Sequence, residues 1–152
     1  MKVFVDANIL LRSIQTSHSM HSVVQQVIST LIQRGEELVI SPQVYYEFWV
    51  VATRPLQANG LALTVHETEQ EIAKFQQVFA LLEDPPSLFG QWLNLVRIYA
   101  VTGKRAHDTR LVAAMQLHQI THILTLNPQD FQSFAGITVL TPADVLSSTS
   151  TP

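Results

Sequence analysis

Short apolar, β-branched runs alternate with longer segments of helical periodicity along almost the whole chain, and this alternation limits the possible folds more than any other feature. Residues 1–5, 37–40, 123–126 and 137–140 have the length and composition of buried strands. Strands that alternate with helices are joined by right-handed crossovers, which make neighbouring strands parallel. We therefore predict an α/β fold in three layers, with a central, mainly parallel sheet flanked by helices.

Helical periodicity and capping signals define the intervening segments. Ser41 and Pro42 have the residue types preferred at an N-cap and at the first helical position, and Thr64 with Glu67 matches a capping box. Residues 79–82 fit either a short extended segment or the last turn of the preceding helix. The predicted helices cover about 18–34, 42–53, 64–77, 89–99 and 106–118, with short ones at 128–134 and after Pro142.

Length and composition indicate one domain and exclude several classes of protein. The chain has 152 residues, 47% of them apolar, a net charge of −3 and no cysteine, so it forms no disulfide. We predict one domain over residues 1–146 and a disordered tail over 147–152. No apolar run reaches the roughly 18 residues of a membrane span, and the start of the chain lacks the pattern of a signal peptide, so we expect a cytoplasmic protein. The negative charge argues against broad phosphate binding but permits local contacts with nucleic acid.

Four of the few acidic residues lie where strands meet helices or in the early turns of helices: Asp6, Glu47, Asp108 and Asp130. Ligands of open parallel sheets bind at the carboxyl ends of strands, so these four side chains could converge there. Converging carboxylates repel one another unless a cation is present, and Mg²⁺ or Mn²⁺ prefers such hard oxygen ligands. Each acid has an ordinary alternative as a helix cap, a turn residue or a partner of the helix dipole.

Four segments of the chain resemble the motifs of one family, in order and at suitable separations. They are residues 3–10 (VFVDANIL), 41–48 (SPQVYYEF), 107–115 (HDTRLVAAM) and 125–131 (TLNPQDF). The chain resembles the PIN-domain nucleases, in particular the VapC-like toxins of bacterial toxin–antitoxin pairs. The resemblance implies a PIN fold, RNA as the substrate, a cognate antitoxin bound in a groove among the early helices, and a homodimer.

The resemblance also implies the members of the active site. Asp6, Glu47, Asp108 and Asp130 would be the catalytic carboxylates and the ligands of Mg²⁺ or Mn²⁺. We hypothesise that Asp6 and Asp108 hold a first ion, while the other two serve a second ion or orient the attacking water. Asn8 would support the site by hydrogen bonding. Some family members carry an acid at the position of Asn127, so either Asp130 replaces it here or a second ion binds weakly.

Basic residues near these acids are candidates for contacts with RNA phosphates: Arg54, Lys104, Arg105 and Arg110. The alternative for each is a solvated surface charge or local pairing with an acid. The helix around 44–51 is a further candidate contact for the antitoxin, through its exposed aromatic residues.

Two other functions remain open from the sequence. An aspartate after the first strand also begins the chemistry of phosphotransferases and phosphatases that form a phospho-aspartate. Such enzymes usually need a second acid two residues later, where this chain has Asn8. The second alternative is a degenerate, non-catalytic domain that binds RNA or a protein partner.

Overall fold

The computed structural model describes residues 1–148, which form five strands and seven α-helices. The strands are β1 (Lys2–Val5), β2 (Glu37–Ile40), β3 (Ala80–Leu81), β4 (His122–Leu124) and β5 (Thr138–Leu140). The helices are α1 (Ala7–Ile14), α2 (His21–Gln33), α3 (Pro42–Thr53), α4 (Val65–Phe75), α5 (Leu88–Ile98), α6 (Arg105–Leu117) and α7 (Pro142–Ser147). Short 3-10 helices cover Leu56–Ala58 and Pro128–Asp130.

The five strands form one parallel sheet in the order β3-β2-β1-β4-β5, which confirms the predicted α/β class. At its centre Phe4 lies between Val39 of β2 and Ile123 of β4. The chain adds β2 and β3 on one side of β1, then returns to add β4 and β5 on the other. The strand order therefore reverses between β1 and β4, and the carboxyl ends of these two strands flank the crevice where parallel sheets bind ligands.

Helices cover both faces of this sheet. One group of contacts joins α1 to α2 and α3, α3 to α4, and α2 to α7, while α5 packs on α6. Right-handed crossovers assign the first group to one face and the α5–α6 pair to the other. The central strands are accordingly apolar on both sides, with Val3, Phe4, Val5 and Ile123 fully buried. Among residues 1–148 no helix is both long enough and apolar enough to cross a membrane.

The principal difference from the sequence prediction is helix α1, which was not predicted. Asp6 lies at its N-cap in an extended conformation, and its carboxylate accepts a hydrogen bond from the backbone N–H of Ala7 at 2.8 Å. The predicted helix at 18–34 begins only at His21, because residues 15–20 form the turn between α1 and α2. Here the backbone N–H of Met20 bonds to the ring of His18.

In the second half of the chain one open alternative is resolved and two boundaries differ from the prediction. Residues 79–82 contain the short edge strand β3, so the extended alternative is the one observed. The segment predicted as a helix over 128–134 is helical only through Asp130, and Phe131 turns into the core with no exposed surface. Helix α7 includes Ser147, one residue beyond the predicted domain end; of the predicted tail, residues 149–152 lie outside the described part of the chain.

Candidate active site

A cleft of about 730 Å³ opens at the carboxyl ends of the strands, and all four predicted carboxylates line it. Asp6 joins β1 to α1, Glu47 lies in the second turn of α3, Asp108 is in the first turn of α6, and Asp130 ends the 3-10 helix after β4. Four separate segments thus bring acids to one place, because each begins or follows an element at the same edge of the sheet. Four of the other predicted residues also line the cleft: Asn8, Arg54, Arg110 and Asn127.

Asp6 is the most enclosed of the four acids, with 8% of its surface exposed. One carboxylate oxygen accepts the Ala7 N–H, and the other accepts the Thr125 hydroxyl at 2.7 Å and the Asn8 amide at 3.3 Å. Burial raises the pKa of Asp6 from 3.8 to about 6, with the Glu47 and Asp130 charges adding to the rise and the Thr125 and Ala7 hydrogen bonds opposing it. The fold therefore holds this carboxylate in place at an electrostatic cost.

Hydrogen bonds join the ends of β1 and β4 at the crevice. The Asn8 side chain donates to the Thr125 hydroxyl and accepts the Leu126 backbone N–H at 3.2 Å. The Asn127 backbone N–H donates to the same hydroxyl at 3.0 Å, while the Asn127 side chain is exposed at the cleft. Asn8 thus makes the contacts that a supporting role requires, and Thr125 is the centre of this junction.

Glu47 is held by a neighbour on its own helix. The side-chain amide of Gln43, one turn earlier, donates to the Glu47 carboxylate at 2.8 Å and also to the backbone carbonyl of His107 at 2.8 Å. Burial raises the pKa of Glu47, while the Gln43 hydrogen bond and the nearby His107 and Arg110 lower it. The contact with His107 ties α3 to the start of α6, where Asp108 follows.

Asp108 experiences the charges of the other three acids. The pKa of Asp108 is raised from 3.8 to about 7, and burial is the largest cause of the rise. Repulsion from Asp130, Asp6 and Glu47 adds to it, in that order of size, while Arg105 lowers the pKa. The four carboxylates therefore form one electrostatic cluster, although they come from four segments of the chain.

This donor set suits a divalent cation. The cluster offers only hard carboxylate oxygens, and a cation would relieve the repulsion that raises the pKa values of Asp6 and Asp108. No three His, Asp or Glu side chains within residues 1–148 are close enough to surround a single ion.

The four predicted basic residues separate into two pairs. Arg54 and Arg110 line the cleft, whereas Lys104 and Arg105 are not among its lining residues. Arg105 donates to the Ser133 hydroxyl and lies over the ring of Phe134. Lys104 is exposed just before α6. Two of the four cations thus line the cleft, while Arg105 lies outside it but close enough for its charge to act on Asp108.

The two cleft arginines differ in their partners. Arg110 donates to Gln43 at 2.9 Å and forms an ion pair with Asp84 at 2.9 Å. Within the described range, the Arg54 side chain makes one hydrogen bond, to the Ala58 carbonyl at 3.5 Å, and it has no carboxylate partner. Arg54 thus keeps its charge available to the cleft, whereas that of Arg110 is already paired.

Three polar residues of this region were not singled out from the sequence: Gln43, Asp84 and Thr125. Thr125 and Gln43 lie within the motifs quoted above, but a hydroxyl or an amide beside an apolar run carries no signal of its own. Asp84 follows β3, so the carboxyl-end argument could have included it once residues 79–82 were recognised as a strand. Its contact with Arg110 spans 26 positions and is not visible as a local pattern.

A second cavity, of about 500 Å³, lies between α1 and α2 on one side and α4 with the turn after it on the other. Ile14, Ile28, Phe75 and Val78 supply its apolar surface, and His21, Glu71 and Lys74 are among its polar residues. It does not include any of the four clustered acids. The cavity is therefore separate from the candidate active site.

The family model described as "PIN domain" matches residues 3–137, and no curated protein matches the chain. Similar folds occur in a toxin–antitoxin complex from Klebsiella pneumoniae (21% identity, TM-score 0.62, covering 92% of this chain and 97% of that one) and in VapBC2 from Rickettsia felis bound to a promoter DNA fragment (11%, 0.66, 93% and 98%). A third is VapC20 from Mycobacterium tuberculosis, described as a toxin that cleaves the sarcin–ricin loop (17%, 0.57, 80% and 86%).

Proposed function

Because the chain belongs to the PIN domain family, we propose that it is a metal-dependent ribonuclease and the toxin of a toxin–antitoxin pair. The observation that carries the proposal is the cluster of Asp6, Glu47, Asp108 and Asp130 in one cleft at the reversal of strand order. The similarity of this fold to those of the VapC20 toxin and of the Klebsiella toxin–antitoxin complex supports the proposal.

The protein residues have distinct roles in this mechanism. Bound Mg²⁺ or Mn²⁺ would supply an activated water and stabilise the charge that develops on the phosphodiester. Asp6 and Asp108 would hold a first ion, and Asp6 has little freedom to move because Ala7, Asn8 and Thr125 fix both of its oxygens. Glu47 and Asp130 would orient the attacking water or serve a second ion. Asn127 offers a neutral amide rather than a charge.

RNA would be held by few ionic contacts and by stacking. Arg54 is the phosphate contact, since its charge is unpaired among the described residues, whereas that of Arg110 is neutralised by Asp84. Tyr46 is 63% exposed and Val50 53% exposed, and both line the cleft beside Arg54. Aromatic rings beside a cation bind unpaired bases, so single-stranded RNA fits this cleft better than a duplex.

The alternative of a phospho-aspartate enzyme is less compatible with Asn8. Such an enzyme usually needs a second acid at this position, and the Asn8 amide instead donates to Asp6 and Thr125 and accepts the Leu126 N–H. A failure to trap a phospho-adduct on Asp6, beside successful RNA cleavage, would exclude it.

An antitoxin segment would occupy the second cavity, between α1, α2 and α4. Of the α3 residues first considered as its contact, three are buried (Val44, Tyr45 and Phe48), two are half-buried (Trp49 and Val51), and Tyr46 and Val50 are exposed at the cleft. Val78→Glu places a charge in the apolar wall of the cavity and should abolish capture of the antitoxin encoded beside the gene. Phe89→Glu, at a 68% exposed residue that does not line this cavity, is the control and should leave capture unchanged.

The experiment that tests the nuclease is cleavage of a mixed RNA pool by antitoxin-free protein, with Mg²⁺, with Mn²⁺ and with chelator. Asp6→Asn and Asp108→Asn should both reduce cleavage to the level measured in chelator. Cleavage that survives both substitutions would contradict the proposed site. No cleavage by wild-type protein, together with retained RNA binding by Asp6→Asn, would favour the non-catalytic alternative. Light scattering of the same samples tests the expected homodimer.

A further inference from the structure

A chain of side-chain hydrogen bonds runs from the loop after the edge strand β3 to the carboxylate of Glu47. Asp84 accepts from Arg110 at 2.9 Å, Arg110 donates to the Gln43 carbonyl oxygen at 2.9 Å, and the Gln43 amide donates to Glu47 at 2.8 Å. The loop that carries Asp84, helix α6 and helix α3 each contribute at least one member. Three segments distant in sequence are therefore joined through one buried amide.

The direction of each bond in this chain is unambiguous. Arg110 can only donate, and both the Glu47 carboxylate and the His107 carbonyl can only accept. The Gln43 carbonyl oxygen must therefore face Arg110, and its NH₂ group must face Glu47 and His107. Gln43 is 6% exposed and all its polar atoms are used, so it has no second orientation of equal energy.

Arg110 acts as a fixed strut between Asp84 and Gln43 because one guanidinium nitrogen contacts each. A planar fork can hold two acceptors at once, which the single ammonium of a lysine cannot do in the same geometry. Asp84 also neutralises the charge of Arg110, so this arginine is less available to contact the RNA backbone. Within residues 1–148, neither Asp84 nor Arg110 forms a direct hydrogen bond with any of the four clustered carboxylates.

From this arrangement we propose that Asp84 and Arg110 are positioning residues for the catalytic step, acting on Glu47 through Gln43. The inference rests on the proposed nuclease function, in which Glu47 orients water or serves an ion. Without the strut, the Gln43 carbonyl oxygen loses its partner. The Gln43 NH₂ group then holds the Glu47 carboxylate less firmly, and this is the only side-chain hydrogen bond that the carboxylate makes within residues 1–148. A carboxylate displaced by about 1 Å can slow a reaction by a factor of up to about 100.

The first test compares steady-state RNA cleavage by Asp84→Ala, Arg110→Lys and the wild-type protein. We expect kcat to fall roughly 10- to 100-fold in both variants while KM stays within about twofold. Arg34→Ala is the matched control, because this arginine also holds a distant segment, through the Val145 carbonyl, but lies outside the cleft. A lower KM with unchanged kcat in Asp84→Ala would overturn the proposal, since it would mean that Asp84 only withholds Arg110 from RNA.

A double-mutant cycle separates positioning from general destabilisation. In the Glu47→Gln background, Asp84→Ala should cause no further loss of kcat, because its effect passes through the Glu47 carboxylate. A further loss equal to that seen in the wild-type background would overturn the inference.

A readout that does not depend on activity distinguishes this inference from the proposed function. The side-chain NH₂ signals of Gln43, assigned by their absence in Gln43→Leu, should shift in Asp84→Ala and in Glu47→Gln but not in Arg34→Ala. Signals that stay unchanged in Asp84→Ala would overturn the positioning role even if RNA is cleaved. If these signals shift while wild-type protein cleaves no RNA, the network stands and the nuclease proposal fails.

Discussion

At the scale of single residues, the acids were easier to identify than the groups that hold them. Asp6, Glu47, Asp108 and Asp130 are scarce charges at the ends of elements, so their positions alone indicated a common edge. Thr125 contacts Asp6 across 119 positions, and no local pattern predicts that pairing. The sequence thus predicts which residues carry charge in the cleft, whereas the uncharged donors that orient them become visible only with the fold.

Thr125 provides a test of that hidden support. Thr125→Val keeps the side-chain shape but removes the donor to Asp6 and the acceptor used by Asn8 and the Asn127 backbone. We expect the free energy of unfolding to fall by about 1–3 kcal/mol, since buried partners lose their hydrogen bonds. Urea unfolding of metal-free protein measures the change.

The matched control is Thr109→Val, another fully buried threonine, whose hydroxyl bonds only to the Arg105 carbonyl one turn earlier in α6. Because the Arg105 carbonyl lies within helix α6, losing the Thr109 hydroxyl should lower the free energy of unfolding clearly less than losing the Thr125 hydroxyl. Equal costs for the two threonines would show that Thr125 is an ordinary core residue and would contradict its place at the centre of the β1–β4 junction.

At the scale of secondary structure, long and strongly capped elements were predicted best. The capping box of Thr64 with Glu67 and the Ser41–Pro42 start both lie at the ends of helices, although the Ser41 hydroxyl itself makes no capping bond. Helix α1 has only eight residues, and its N-cap is the same Asp6 that was interpreted as a catalytic acid. The cap was one of the alternatives considered for Asp6, but eight residues give only about two turns of helical periodicity, and this explains why α1 was missed.

The close packing of the loop after α3 leads to a prediction about the position of Arg54. Gly60 passes so close to this loop that an added Cβ would lie 1.9 Å from the Arg54 carbonyl oxygen. Gly60→Ala should therefore displace Arg54, lower the free energy of unfolding by about 1–3 kcal/mol and raise KM for RNA. Thermal unfolding and cleavage kinetics measure both effects.

Gly90→Ala is the control for that substitution. Gly90 lies in α5, where an added Cβ meets nothing within 4 Å, so alanine should stabilise the helix by up to about 1 kcal/mol. A Gly60→Ala variant as stable and as active as wild type would show that the loop can move without consequence for Arg54.

At the scale of the whole molecule, the sequence predicted a parallel α/β sheet but not the order of its strands. Strand order depends on which apolar faces pack together, and β1, β2 and β4 are too similar in composition to reveal it. The reversal between β1 and β4 is what converts four separate acids into one cluster. The convergence argued from the sequence thus depended on a property of the fold that the sequence does not display.

The acidic cluster should also make global stability depend on pH. The folded-state pKa of Asp6 is raised from 3.8 to about 6, so the stability contributed by its protonated form is complete below about pH 4 and is lost as the pH rises through 6. For Asp6 this amounts to roughly 3 kcal/mol at most. The raised pKa values of Asp108 and Glu47 act in the same direction.

Metal-free protein should therefore melt at a higher temperature at pH 5 than at pH 8. Asp6→Asn should reduce this difference, because the amide does not ionise. The lowered pKa of His18 acts in the opposite direction in both proteins, so the comparison between them isolates the carboxyl group. An identical pH dependence in the variant and the wild type would contradict the raised pKa of Asp6.

The most direct test of the central claim, that the acidic cleft binds a divalent cation through Asp6 and Asp108, is Mn²⁺ binding measured by titration calorimetry at pH 8. We expect wild-type protein to bind the ion and Asp6→Asn and Asp108→Asn each to bind it much more weakly. Glu71→Gln, which removes a half-buried acid outside the cleft, should bind as wild type does. Mn²⁺ affinity that is unchanged in Asp6→Asn and Asp108→Asn, or absent in the folded wild-type protein, would contradict the claim.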